Sequence, residues 1–323
     1  MIMREQRITR ANECFDRYIE KYYQDGIFER ADFWDTAEIF EIIDDAYQIT
    51  GDKKYADYIE ETYTAFIKQN GSLWSSNIYN DDIMWAVIAM SRAYQLTGIQ
   101  KYYETAKANL DYVWERASSD DLGGGLWWRT DNQSKNACVE CPGVIAACLI
   151  GEISGDDSYF EKAKAVMDWT VKTLVEEEIG KVYDCINIKG EINRWSSTYN
   201  QGTYIGGNML LYRHYKDEIF KKRADAAAAF TMNEMYHGGV MDNEDWGNDV
   251  IGFKAILSRW LRLYALEENK PEYIEWLRLN ADAAYANRNS EGIIMTKFNT
   301  KTEEIYYDVF GTSAAVGVMF NCI

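Results

Sequence analysis

Proline and histidine are scarce in this sequence, which bears on its secondary structure and on the catalytic and metal-binding motifs that it can contain. The 323 residues contain two prolines, Pro142 and Pro271, and two histidines, His214 and His237. An internal proline removes a helical hydrogen bond and clashes with the preceding turn, so its scarcity favours long helices. Neither histidine is followed by a second one four residues later, and zinc-protease, serine-nucleophile and P-loop motifs are missing. The sequence therefore predicts neither a metal nor a cofactor.

Positive charge is also in short supply. Lys and Arg number 34 against 52 Asp and Glu, which leaves a net charge of −18. Nucleic acid would be repelled, because its binding depends on clustered Lys and Arg. We see no signal peptide and no window approaching the ~20 apolar residues of a membrane helix, so we expect no membrane contact. Six scattered cysteines predict reduced thiols and a cytoplasmic protein, or a secreted one if a leader is missing.

A repeat shows how the chain is organised. Residues 46–55 read AYQITGDKKY, 93–102 read AYQLTGIQKY, and 151–160 carry a degenerate copy, GEISGDDSYF. Each copy joins two apolar-periodic segments through a short turn, and glycine after the last periodic residue is a helix stop signal. The pattern predicts helices near 4–23, 34–49, 53–69, 81–97, 100–116, 136–153, 156–175, 200–215, 217–235, 252–268, 272–287 and 309–320.

The even-numbered predicted helices differ in kind from the odd-numbered ones. Residues 83–90, 143–150 and 313–320 are apolar on nearly every side, whereas 53–69 and 156–175 are amphipathic with many Lys and Glu. Six buried helices ringed by six amphipathic ones make an all-α (α/α)6 toroid, which we expect to form a single domain over the whole chain. The loops that enter the inner helices should carry the function.

Carboxylates and aromatic rings are the chemistry that this sequence has in abundance. Sugar hydrolysis uses two carboxyl groups for acid/base work and flat rings that stack on sugar faces. Of four Asp-Asp pairs, only Asp81–Asp82 opens an apolar inner helix, while Asp44–Asp45 occupies a surface-like stretch. The alternative is that Asn80 caps this helix and the two acids complement its dipole, which is a common arrangement.

The 11 tryptophans fall into two groups by position. Those on outer helices are expected to pack in the core: Trp114, Trp169 and Trp276. Those in loops that feed the inner helices are expected either to stack on sugar or to pack: Trp74, Trp127, Trp128 and Trp246. Taken alone, these patterns predict a helical toroid that acts on carbohydrate.

Six segments together resemble the family 76 glycoside hydrolases, the endo-α-1,6-mannanases, which have fungal wall transglycosidases as relatives. They are NDDIMWAVIA at 80–89, LGGGLWWR at 122–129, SKNACVECPGVIAA at 134–147, STYNQGTYIGG at 197–207, FKAILSRWLRLY at 253–264 and GTSAAVGV at 311–318. They occur in the family's order and span nearly the full chain. The Asp-Asp motif and TYNQGTYIGG are the most specific.

The resemblance implies a retaining glycosidase that cleaves α-1,6-mannosidic bonds in a mannan-like oligosaccharide or polysaccharide. Asp81 is then the nucleophile and Asp82 the general acid/base. The helix dipole should keep the nucleophile ionised, and mutual repulsion should raise the pKa of the more buried aspartate. Besides the loop tryptophans Trp74, Trp127, Trp128 and Trp246, the expected substrate-binding residues are Arg129, Lys135, Asn136, Tyr199, Asn200, Gln201 and Tyr204.

One departure from the family pattern bears on specificity. Val139-Glu140 stands where relatives more often carry Ser/Thr-Asn, from which we expect an altered sugar subsite. Other enzymes of the same fold are the alternative: an unsaturated glucuronyl hydrolase, a transglycosidase, or a sugar epimerase, although such epimerases use several cleft histidines. A non-catalytic glycan-binding protein is the third possibility, but it would not need both Asp81 and Asp82.

Overall fold

The computed structural model describes residues 2–305 and 308–323, and helices dominate it. The helices are α1 (Arg4–Tyr22), α2 (Phe33–Thr50), α3 (Lys53–Asn70), α4 (Asn80–Thr97), α5 (Gln100–Ala117), α6 (Ala137–Ser154), α7 (Ser158–Leu174), α8 (Thr198–Tyr215), α9 (Glu218–Glu234), α10 (Phe253–Glu267), α11 (Pro271–Ala286) and α12 (Val309–Asn321). All twelve predicted helices are therefore confirmed, with ends within two residues of those expected.

The repeat corresponds to helix ends. Gly51, Gly98 and Gly155 follow α2, α4 and α6 with φ of 67°, 71° and 70°, the left-handed conformation that glycine adopts without strain. Each of their backbone N–H groups donates to a carbonyl of the last helical turn. The repeated glycine thus stops one helix of each pair and lets the chain reverse into the next.

Burial alternates along the chain as expected. Residues 83–93 of α4, 139–151 of α6 and 198–211 of α8 are buried without interruption. The odd-numbered α3 buries only a stripe, which includes Tyr55, Ile59 and Phe66. Helices buried on every side have no amphipathic face, so continuous apolar sequence marks them.

One expectation about membranes needs correction. Helix α6 is long and apolar enough to cross a membrane when only its length and composition are considered. In the folded chain, however, 78% of that helix is buried against other protein segments. Its apolar surface is therefore covered by the protein itself, as in an ordinary core helix.

Short strands were not expected, and nine of them occur in the described residues. They are β1 (Tyr23–Gln24), β2 (Ile27–Phe28), β3 (Ser134–Asn136), β4 (Val175–Glu176), β5 (Lys181–Val182), β6 (Cys185–Asn187), β7 (Ile192–Asn193), β8 (Tyr236–His237) and β9 (Val240–Met241). Six of them form three two-stranded antiparallel sheets, β1-β2, β4-β5 and β8-β9, and the other three form one antiparallel sheet in the order β3-β6-β7. Because β3 leads directly into α6, this small sheet fixes where that helix begins.

The chain divides into two compact units. One is continuous and comprises Asn70–Phe230, with helices α4 to α9. The other is discontinuous and comprises the chain up to Gln69 together with Thr231–Ile323, with α1 to α3 and α10 to α12. The Asp81–Asp82 pair belongs to the continuous unit.

A buried ion network stabilises the discontinuous unit. The guanidinium of Arg259 on α10 lies 3.1 Å from Glu38 Oε2, 3.3 Å from Glu41 Oε2 and 3.0 Å from Asp45 Oδ2, all on α2. Asn321 Nδ2 on α12 also donates to Asp45 Oδ2, at 2.9 Å. The expectation of a surface-like stretch at Asp44–Asp45 was wrong, because both side chains are buried.

Replacing Arg259 with Ala should lower the free energy of unfolding by roughly 3–5 kcal/mol, because it leaves three buried carboxyl groups without their cation. Urea denaturation measures this loss. Arg17→Ala is the control, since the Arg17–Glu20 pair on α1 is exposed and such pairs contribute at most about 1 kcal/mol. Equal losses in the two variants would contradict a stabilising role of the network.

Candidate functional site

The Asp81–Asp82 pair lies in the first turn of α4, behind a buried asparagine. Asn80 Nδ2 donates to Trp127 O at 2.7 Å, and its Oδ1 accepts from Arg116 Nε at 2.8 Å. Its backbone N–H donates to Trp128 O at 2.8 Å. Asn80 is thus the first residue of the helix and bonds to the 126–129 loop, so it is not the capping residue that the alternative interpretation required.

Asp81 is the more buried of the two acids. Its side chain is 8% exposed, and Oδ1 makes no hydrogen bond with the described residues. Burial raises the pKa of Asp81 to about 6, although the Cys138 thiol and the Trp128 indole beside it favour the charged form. The expectation that mutual repulsion would dominate needs correction, since the main cause of the raised pKa is the loss of hydration.

Asp82 has a different environment. It is half-buried, and its Oδ2 accepts a hydrogen bond from Asn77 Nδ2 at 2.9 Å. Asn77 is itself fixed, because its Oδ1 accepts from the backbone N–H of Tyr79 at 2.9 Å. The second carboxyl group is therefore oriented by the loop before α4 while it keeps contact with solvent.

Tyr199 lies within electrostatic range of Asp81, and Asp184 lies within range of Tyr199 and Cys138. Tyr199 is buried at the start of α8, and burial together with the neighbouring Cys138, Asp184 and Asp81 raises the pKa of its phenol. Asp184 precedes β6, is half-buried, and its pKa is raised by burial. Sequence reasoning missed Asp184 and Cys138. The only available signal was their position beside β3 and the start of α6, which a helix-based interpretation does not consider.

The glycine-rich loop brings one aromatic ring to the pair and buries another. The Trp128 ring is half-buried, lies 5.6 Å from the Tyr79 ring, and its Nε1 makes no hydrogen bond with the described residues. The guanidinium of Arg129 lies over both rings, 5.0 Å from that of Tyr79. Trp127, by contrast, is 2% exposed, so its expected stacking on sugar is not what this geometry favours.

Several predicted binding residues direct their polar groups at the backbone. Lys135 is fully buried, and its Nζ donates to the carbonyls of Ser119, Asp121 and Gly124. Gln201 Nε2 donates to Gly180 O at 2.7 Å, and Gln201 Oε1 accepts from Val182 N at 2.8 Å. These bonds hold loops in place. Because the buried polar groups are already paired, they are not available to bind a ligand.

Asn200, Tyr204 and Trp74 are also buried. Asn200 Oδ1 accepts from the backbone N–H of Ser197 at 3.0 Å, which closes the capping box of α8. Tyr204 lies deeper in the same helix and is 1% exposed. The indole of Trp74 donates to Gly71 O at 2.9 Å. The geometry favours a supporting role for all three over the sugar contact expected from the sequence.

Two predicted residues are not fully buried. Asn136 ends β3 next to Cys138 and is half-buried, and its buried Oδ1 makes no hydrogen bond with the described residues. Trp246 belongs to the discontinuous unit, in the loop before α10, and 57% of it is exposed. Contact of either residue with substrate stays a prediction.

The arrangement has the elements that sugar hydrolysis requires. It presents one dehydrated carboxyl group, one solvent-accessible carboxyl group and an adjacent, partly exposed aromatic surface. Two carboxyl groups in unlike environments can divide the roles of nucleophile and proton donor. A helix-capping function alone would not require the burial of Asp81, which costs free energy.

Comparison with known proteins gives a consistent answer. The family model described as glycosyl hydrolase family 76 matches residues 5–322. The mannan endo-1,6-alpha-mannosidase DCW1 of Eremothecium gossypii is 25% identical over 232 residues, which cover 64% of this chain and 51% of that protein. The corresponding DCW1 of Candida albicans is 26% identical over 71% of this chain and 56% of its own length. The chain thus spans about half the length of these curated relatives.

Solved structures match over nearly the whole chain. The GH76A alpha-1,6-mannanase from Salegentibacter sp. HEL1_6 is 31% identical, covers 98% of both chains, and superposes with a TM-score of 0.91. The same enzyme has been solved as an inactive variant, with two consecutive aspartates changed to asparagine, in complex with alpha-1,6-mannotriose. These matches confirm the prediction of an all-α (α/α)6 toroid fold.

Asp81→Asn should make the protein more stable at neutral pH. With a folded-state pKa of about 6 against 3.8 for the ordinary side chain, the free-energy cost of burying the charge is absent below pH 3.8. It grows as pH rises and is nearly complete by pH 7, where it is on the order of 3 kcal/mol. Thermal unfolding at pH 4 and pH 7 should therefore show a gain only at pH 7. Asp120→Asn, in an exposed loop, is the control and should show none; a destabilised Asp81→Asn would contradict the burial cost.

Proposed function

Since the chain belongs to glycosyl hydrolase family 76, we propose that it is a glycosidase that cleaves α-1,6-mannosidic bonds in mannan or mannan-derived oligosaccharides. The observation that carries the proposal is the buried Asp81 next to the solvent-accessible Asp82, beside the Trp128 ring. The substrate class follows from what the matching Salegentibacter enzyme and the fungal relatives are named for.

The proposed mechanism retains the anomeric configuration. Asp81 attacks the anomeric carbon while Asp82 protonates the departing oxygen, and the resulting glycosyl-aspartate is then hydrolysed by water that Asp82 deprotonates. The environments support this division of roles. Asp81 lies in a dehydrated position beside Cys138 and Trp128, which suits a nucleophile, whereas Asp82 is open to the water that it must deprotonate in the second step.

The pKa of Asp81 predicts the acid side of the pH profile. A nucleophilic carboxyl group acts only when ionised, and burial raises the pKa of Asp81 to about 6. Activity should therefore rise with pH through about 6, and kcat/KM should fall about tenfold for each pH unit below it. Initial rates on α-1,6-mannotetraose between pH 4 and pH 8 measure this. A profile that is flat between pH 4.5 and pH 6.5 would contradict the assignment.

The aspartate variants test the catalytic roles. Asp81→Asn and Asp82→Asn should each reduce hydrolysis of α-1,6-mannooligosaccharides by at least about a thousandfold and leave the far-ultraviolet circular dichroism unchanged. Added azide should restore turnover of an aryl mannoside to the Asp82 variant, because that variant still forms the glycosyl-enzyme. It should not help the Asp81 variant, which lacks the nucleophile.

Other outcomes have distinct meanings. Azide rescue of the Asp81 variant only would exchange the two roles and keep the enzyme. Wild-type activity in both variants would return the pair to a structural role at the start of α4. A protein that binds mannan in isothermal calorimetry but cleaves no α-1,6-, α-1,2- or α-1,3-linked oligosaccharide would be a binding protein, which would refute the proposal.

A further inference from the structure

A second buried carboxyl group stands directly behind the site. Glu140 lies in the first turns of α6 and is fully buried. Its Oε1 accepts a hydrogen bond from the backbone N–H of Leu126 at 2.8 Å. The sequence suggested that this residue alters a sugar subsite. This burial argues against direct contact with sugar, because a side chain without exposed surface cannot line an open subsite. An effect of Glu140 on a subsite stays a prediction.

Glu140 is one half of a clamp on the glycine-rich loop. The other half is Lys135 of β3, whose Nζ donates to Ser119 O at 3.1 Å and Asp121 O at 2.7 Å, and also to Gly124 O. The two residues thus hold the loop from both ends, one through its carbonyls and the other through an amide. We define residues 119–126 with these bonds as the clamped loop.

Trp169 on α7 closes the clamp. Its Nε1 donates to Leu122 O at 3.0 Å, and its ring lies so near Gly125 that a Cβ there would approach it to 2.7 Å. The same Cβ would lie 2.8 Å from Glu140 Oε1. Gly125 also has φ of 86°, so the close approach of the loop to both side chains requires glycine.

The clamped loop continues directly into the site. Residues 127 and 128 follow it, and their carbonyls accept the side-chain and backbone N–H groups of Asn80. Asp81 is the next residue, and the Trp128 indole lies beside its carboxyl group. A displacement at Leu126 therefore reaches both Trp128 and the start of α4 through two covalent or hydrogen-bonded steps.

From this geometry we infer that Glu140 is a positioning residue, which fixes Trp128 and Asp81 for the glycosidase reaction through its bond to Leu126. The inference rests on the proposed function for its catalytic consequence, but the placement of the loop can be measured without activity.

The Glu140 carboxyl group lies in a dehydrated environment. Burial raises the pKa of Glu140 well above its ordinary value, and the opposing effects of the Leu126 N–H and of Lys135 are smaller. Cys141, on the same helix, is the other titratable group that faces it, and burial raises the pKa of that thiol as well. A glutamine has the same shape and keeps the acceptor oxygen, so it is the conservative replacement.

Hydrogen–deuterium exchange tests the loop directly. In Glu140→Ala, the Leu126 amide loses its acceptor, and we expect it to exchange at least about tenfold faster in the free protein. In Glu140→Gln it should exchange within about threefold of the wild-type rate. Cys148→Ala removes buried volume on the same helix away from the loop, and serves as the control for a general loss of stability. It should leave the exchange of Leu126 unchanged at 25 °C.

Kinetics on α-1,6-mannotetraose test the catalytic consequence. Glu140→Ala should lower kcat/KM at least about tenfold, with most of the loss in kcat, whereas Glu140→Gln and Cys148→Ala stay within about threefold of wild type. Unchanged Leu126 exchange in Glu140→Ala would overturn the inference whatever the activity. Faster exchange with unchanged kcat/KM would reduce Glu140 to a structural residue. Absence of activity in the wild type would refute the proposed function and leave the exchange result to decide on the clamp.

Discussion

Asn80 is the side chain on which the geometry of the candidate site depends. Its three hydrogen bonds join α4 to Arg116 on α5 and to the carbonyls of Trp127 and Trp128. Because the Asn80 side chain is buried, breaking one of its bonds would leave a poorly hydrated polar group unpaired, so the helix start and the loop cannot move independently. Asp81 is the next residue, so its position relative to the loop is fixed as well, and the Trp128 indole is held beside it for the same reason.

Holding the Asp81 carboxyl group in this buried position costs stability. An aspartate at the surface would be hydrated, whereas Asp81 is held where burial raises its pKa to about 6. Capping and helix-dipole effects are worth about 1 kcal/mol and do not require such burial. A carboxyl group kept in an unfavourable environment by a rigid surrounding is a frequent sign of function, because selection for stability alone would remove it.

The sequence predicted the helices well and the buried charges poorly, for physical reasons. Helical periodicity and glycine stops are local, so Gly51 and Gly98 revealed the hairpins without any knowledge of the fold. The partners of a buried charge are remote: Arg259 and Asp45 are 214 residues apart. Charged residues are mostly exposed, so sequence alone gave Lys135 to the substrate rather than to the loop. The sequence could not distinguish Trp127 from Trp128 either, because the backbone conformation of the loop decides which of the two rings is buried.

The raised pKa of Asp81 does not by itself make it the proton donor. A raised pKa marks an acid catalyst only when the proton can be delivered and replaced, and Asp81 is nearly enclosed, with Cys138 and Trp128 beside it. Asp82 is bonded to Asn77 and in contact with solvent, so it can reach the water from which it recovers its proton in the second step. A nucleophile needs a fixed orientation more than it needs proton exchange with solvent, and the loop that carries Trp128 fixes that orientation. The burial of Asp81 and the partial exposure of Asp82 therefore support the same assignment of roles, because access to water, more than acidity, separates the two carboxyl groups.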